Sequence, residues 1–140
     1  MASAAVLYTP ELLALATSLA DFPIGGGFAR HASARSKSCG STLELGLDTD
    51  PAGRIARLGI RAAACAVGQA AAAIFARAAI GRSGREVAQA REALAAWLRL
   101  GGPLPDWPGI EVLTPARDYP ARHDAILLAW NAASDVLPMG

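Results

Sequence analysis

The sequence predicts an α+β fold: a small antiparallel sheet of two to three strands packed against four to five helices. Three observations predict it. Thr42 to Asp48 alternates strictly, with Leu43, Leu45 and Leu47 on one face and Thr42, Glu44, Gly46 and Asp48 on the other. That period of two is the signature of a half-buried strand. Asp48-Thr49-Asp50-Pro51-Ala52-Gly53 is turn chemistry leading into a second strand, Arg54 to Arg61, so the pair reads as a hairpin. Ala62 to Gly81 then reads as one Ala-rich helix, uncharged from Ala62 to Ala76 and with Cys65 in its first turn. A helix that is apolar all round is expected in the core.

The other elements have local signals of their own. Thr9-Pro10-Glu11 is a helix start, with Thr at the N-cap, Pro at N1 and an acid in the first turn. Leu12, Leu13, Ala16, Leu19 and Ala20 form its expected apolar face. Asp21-Phe22-Pro23 ends it, and Gly25-Gly26-Gly27 is a loop without the Gly-Lys-Ser/Thr ending of a phosphate cradle. Phe28 to Lys37 is open to a strand reading, with Phe28 and the alanines inward. Ser83-Gly84-Arg85-Glu86 is a capping box, followed by an apolar stripe of Val87, Ala90, Leu94, Trp97 and Leu98. Gly101-Gly102-Pro103 stops that helix. Gly101 to Tyr119 reads as a long, proline-rich ordered loop. Pro120 opens a last helix over Ala121 to Leu137, with Ile126, Trp130, Ala133 and Leu137 on one face.

The 140 residues are expected to form a single domain, 1–140, and 53% apolar composition is ample for a core. Net charge is +1 with acids and bases interleaved, so there is no basic stripe for nucleic acid. The apolar run in the Ala-rich helix lies between Arg61 and Arg77 and is too short and too weakly apolar for a membrane span. The start MASAAVLYTPE lacks the pattern of a secretory signal. Two cysteines do not make a disulfide framework, and a cytoplasmic location would keep them reduced.

Cys39 lies in the turn Ser38-Cys39-Gly40-Ser41 before the hairpin, and Cys65 lies just after it. A hairpin returns the chain to where it began, so both thiols are expected at one end of the sheet. Two thiols without a CxxC pair are a weak metal signal by themselves. The histidines are His31, expected on the surface, and His123, beside Asp124 in the first turn of the last helix. Nothing in the sequence assembles these with a serine or cysteine into a nucleophilic triad.

The ordered set of elements resembles the U-type iron–sulfur cluster assembly scaffolds, the NifU N-terminal, IscU and SufU group. The matching stretches are Ser38-Cys39-Gly40-Ser41 with Thr42-Leu43-Glu44-Leu45; Gly53-Arg54-Ile55; Cys65-Ala66-Val67-Gly68-Gln69-Ala70; and Ile80-Gly81-Arg82-Ser83. Tyr119-Pro120-Ala121-Arg122 and Leu128-Ala129-Trp130-Asn131-Ala132 resemble the SufU branch in particular. The resemblance runs from about Leu7 to about Leu137. It implies a scaffold and sulfur acceptor rather than an independent enzyme. It implies an Fe–S cluster or zinc as bound species, with Cys39 and Cys65 as first and second thiols. The family's Asp falls on Ser41, its third Cys on Ala125, and its His on Asp124, with His123 one step early. The metal site is therefore incomplete, and Asp124, Ser41 and His123 are the secondary candidate ligands. Implied partners are a cysteine desulfurase, Fe–S transfer acceptors and, equally compatible, a second copy of the chain. No nucleic acid or membrane is implied. Two other readings stay open: a module that docks on the desulfurase without binding metal, and a zinc-dependent sulfur acceptor. Leu104, Trp107 and Ile110 are read as exposed on the Gly101 to Tyr119 loop and available for docking. The alternative is that Trp107 packs back on the Val87 to Leu98 helix.

Overall fold

The computed structural model describes residues 7–37 and 40–139. Three consecutive strands, β1 (Arg30–Arg35), β2 (Thr42–Thr49) and β3 (Ile55–Ala63), pair antiparallel in the order β1-β2-β3. Helix α1 (Pro10–Ser18) precedes the sheet, continued by a 3-10 turn over Leu19–Asp21. Helices α2 (Ala66–Ala79), α3 (Gly84–Arg99) and α4 (His123–Val136) follow it. Two further 3-10 segments, Ile110–Asp118 and Pro120–Arg122, lead into α4. The α+β expectation is met.

β2 is the central strand, and its alternation decides the sheet's polarity. Leu43, Leu45 and Leu47 are buried on the inner face, which α2 and α4 cover. β1 is a strand whose Ala32 and Ala34 lie opposite Leu45 and Leu43 on that face. The other face carries the cross-strand pairs Asp48–Arg57 and Glu44–Arg61. Phe28 departs from the expected inward side. It is buried, but against the outer face, where Gly46 leaves room for its ring and Arg57 lies over it at 4.3 Å. Gly59, paired with Gly46, takes the backbone of Pro23 and Ile24 in the same way. The two glycines form a trough that seats the 22–28 loop, and the Ile60 N–H donates to the Phe22 carbonyl at 2.9 Å.

The helix caps are as the sequence indicates. The Leu12 N–H donates to Thr9 Oγ1 at 3.1 Å, and Ser83 and Glu86 close both halves of their capping box. α1 is rotated from its expected face: Leu12 and Leu19 are buried, while Leu13 and Ala20 are exposed. α2 is the core helix, buried from Ala70 through Ala76. It starts at Ala66 rather than Ala62. Ala62 and Ala63 are good helix formers, but they pair with Leu43 and Thr42 and extend β3. Sheet pairing outweighs a propensity preference of at most a few tenths of a kcal/mol per residue.

The proline-rich stretch differs most from expectation. Trp107 and Ile110 are 3% and 0% exposed, and of the three proposed docking residues only Leu104 is on the surface. The ring partners of Trp107 lie on α2 and α4. Trp107 stacks on Phe75 of α2 at 5.4 Å and meets Trp130 of α4 edge-on at 5.4 Å. Its indole N–H donates to the Ile74 carbonyl at 3.0 Å. A run of residues without periodicity gives no sign of such a contact, because its partners lie on two distant helices. Among the described residues, no helix is long and apolar enough to cross a membrane.

Candidate functional site

Cys65 stands between β3 and α2 and is the N-cap of α2, in extended conformation (φ −63°, ψ 168°). It is therefore one residue outside the helix rather than in its first turn. Its carbonyl accepts the Gln69 N–H at 2.9 Å, which starts the helix. The side chain makes no capping hydrogen bond, is half-buried and is a free thiol. The strand-to-helix change of direction holds this sulfur at the rim of the core, among partly buried Ala62 and Ala66.

The sheet register brings the β1–β2 connection to the same end. Ala63 pairs with Thr42, and Thr42 pairs with Arg35. The Ser36 N–H donates to the Ser41 carbonyl at 2.8 Å, drawing the two strands together there. Ser41 is buried at 5% exposure. Cys39, the other thiol of the expected pair, lies outside the described residues, as does Ser38.

The start of α4 supplies the remaining candidates. Ala125 is buried and faces the first full turn of α2. A Cβ placed on Gly68 would lie 3.4 Å from the Ala125 Cβ and 2.9 Å from the Ala64 Cβ. The two helices thus meet through Gly68, three residues beyond Cys65, and the Ala125 methyl, while the Ala64 methyl just before Cys65 closes on the same glycine. Asp124 points elsewhere: its Oδ1 accepts from Arg99 Nη2 of α3 at 2.6 Å. His123 is 3% exposed, with Nε2 3.1 Å from the Arg117 carbonyl. A carbonyl only accepts, so Nε2 carries the proton in that contact. With Leu98, Arg99, Arg117 and Pro120, His123 lines an open cavity of about 330 Å³. His31 is exposed on the outer sheet face opposite Gly46, away from this group.

Position 125 therefore lies beside the helix that Cys65 caps, whereas Asp124 and His123 are engaged with α3 and with the segment before α4. No group of three or more His, Cys, Asp or Glu side chains gathers into a metal-binding cluster among the described residues. Sequence reading missed Arg99, Arg117 and Gly68. The two arginines act across long sequence separations and leave no local mark. Gly68 does leave one, since an isolated glycine in an Ala-rich helix signals close approach by another element. A cavity of about 570 Å³ between α1, α2 and Gly109 is lined by Ile74 and Arg77, more than two turns along α2 from Cys65.

No protein-family model matches the chain, and no curated protein matches it significantly. Solved structures do. The chain is similar to the N-terminal part of a nitrogen-fixing NifU-like protein from Brucella abortus, with 31% identity, TM-score 0.84, and coverage of 92% of this chain and 90% of that one. It also resembles a protein described as an iron–sulfur cluster assembly scaffold for the SUF system from Fervidobacterium islandicum AW-1. There the identity is 18% and the TM-score 0.78, over 96% of this chain and 98% of the other, so that likeness is one of fold.

Proposed function

Since this chain belongs to the U-type iron–sulfur cluster assembly scaffold family, we propose that it serves iron–sulfur assembly as a scaffold-like sulfur acceptor, with Cys65 as the acceptor and Cys39 as a second thiol. The observation that carries the reading is Cys65 itself. It is a free thiol at the α2 N-cap, at the sheet end where the β1–β2 connection closes. The hydrogen-bonded frame around it, not its own side chain, fixes its position. The sulfur is therefore left for reaction rather than spent on capping.

The sulfur donor in this reading is the persulfide of a cysteine desulfurase. The Cys65 thiolate attacks the outer sulfur of that persulfide, and the donor's S–S bond breaks. The desulfurase cysteine leaves as a thiolate, and Cys65 keeps the sulfur as a new persulfide. Electrons balance without an outside oxidant or reductant. Iron and the finished cluster are cargo that pass to Fe–S acceptor proteins. The chain turns over nothing independently, and the enzymatic step is the desulfurase's.

Incubation with a cysteine desulfurase and cysteine tests this. We expect a mass increase of one sulfur atom on the peptide containing Cys65, absent in Cys65→Ser and retained in Cys39→Ser. A stable complex in which neither thiol of the unmutated protein gains sulfur would favour the docking-module reading instead. The specific observation on that side is Ala125, a methyl at the position where the family carries its third thiol.

A further inference from the structure

The resemblance also implies zinc or a cluster held by the site, and the donor set can be compared with what either group needs. A closed zinc site takes four N, S or O ligands, and Fe–S clusters are held mostly by thiolates. We infer that this chain closes no such site by itself and that Cys65 carries sulfur without a resident metal. The metal half of the inference is independent of the proposed function; the sulfur half rests on it.

Three features carry the inference. First, the side chains at the α2–α4 seam beside Cys65 are methyl groups facing a glycine and offer no donor atom. Ala125 is 1% exposed, and its methyl and that of Ala64 close on Gly68, where an added Cβ would lie 2.9 Å from Ala64. The third-ligand position is therefore a packed apolar contact and supplies no donor. Second, Asp124, the residue before Ala125, is held by Arg99 at 2.6 Å. Turning it to a metal would break a short charge-assisted hydrogen bond and release an arginine beside the incoming cation. Third, the His123 Nε2–H is held on the Arg117 carbonyl at 3.1 Å, which leaves Nδ1 as its one lone pair, and the cavity that His123 lines is bordered by Arg99 and Arg117. Two guanidinium groups oppose a divalent cation there. Cys39 and Cys65 remain as the strong donors in the sequence, and two more ligands would have to come from elsewhere.

Zinc titration against a chromophoric chelator, on the unmutated protein, Cys65→Ser and Ala125→Cys, tests the metal half. The unmutated protein should bind zinc on the order of 100-fold or more weaker than Ala125→Cys. Should Ala125→Cys fail to fold in its packed seam, the unmutated protein and Cys65→Ser still decide the matter. Stoichiometric zinc that resists the chelator and is lost in Cys65→Ser would overturn the inference. For the sulfur half, persulfide formation on Cys65 should proceed undiminished after treatment with EDTA. Loss of the persulfide on chelation, with the desulfurase still active, would overturn it. Absence of persulfide with and without EDTA would instead sink the proposed function and leave the zinc result standing.

Discussion

Trp107 shows how much one side chain ties together. It stacks on α2, meets α4 edge-on, gives its N–H to Ile74 and lies under the Arg82 guanidinium at 4.5 Å. Aromatic contacts of this kind add to simple area burial. Trp107→Ala should therefore lower stability by about 3–5 kcal/mol, measured by urea denaturation. Trp107→Phe should recover much of the loss but not the hydrogen bond. Undiminished stability in Trp107→Ala would mean that the 101–119 segment is not part of the core. The sequence displays this tryptophan among prolines and glycines with no repeating partner. Its exposure was therefore a fair inference from local pattern, and it is the local pattern that fails. The same holds for Asp124. Its first-turn position in α4 is legible, but its arginine is 25 residues away on α3, where only the packing of two helices can bring it.

Elements whose boundaries are set by local chemistry were the legible ones. Thr9 and Ser83 cap as their side chains require, and the Leu43-Leu45-Leu47 alternation sets the sheet face. The start of α2 was not legible, because Ala62 and Ala63 suit either a helix or a strand and β2 decides. The capping box of α3 makes a quantitative case. The Ser83 N–H, and then Arg54, hold the Glu86 carboxyl below its ordinary pKa of 4.5. In the acid range the folded state thus binds fewer protons there than the unfolded chain. The stabilisation is present above that ordinary value and is lost as pH falls through the lower, folded one. Asp48, held down chiefly by the Ala29 N–H and also by Arg57, behaves in the same direction. Ser83→Ala should cost about 1 kcal/mol at neutral pH. Glu86→Gln should flatten the acid limb of the stability curve. Urea midpoints at about pH 7 and about pH 3 check both.

At the scale of the whole molecule, the sheet is covered on both sides by different means. Helices α2 and α4 cover the inner face, and the 22–28 loop covers part of the outer face through the Gly46–Gly59 trough. A Cβ at Gly59 would stand 2.3 Å from the Pro23 carbonyl oxygen and 2.7 Å from the Ile24 Cα, both backbone atoms. Gly59→Ala should therefore lift the loop and cost about 1–3 kcal/mol. Faster hydrogen exchange at the Ile60 amide would report the lost bond to Phe22, and an unchanged rate would show that the loop bears no such strain. Neither glycine announces this role in the sequence, because each sits in an ordinary strand pattern. The candidate site was legible to a similar degree. Cys65 at the strand–helix junction could be read directly, whereas the seam that fills position 125 could be seen only once two helices were packed. The aromatic junction of α2, the 101–119 segment and α4 has an optical consequence. All three tryptophans of the chain, Trp97, Trp107 and Trp130, are buried, and two of them share a cluster with Phe75. The protein thus carries its own fluorophores at the place where its least regular segment closes on its core. Detaching that segment would move Trp107 from an apolar surrounding into water and shift its emission to the red, so light alone would report whether the segment is closed.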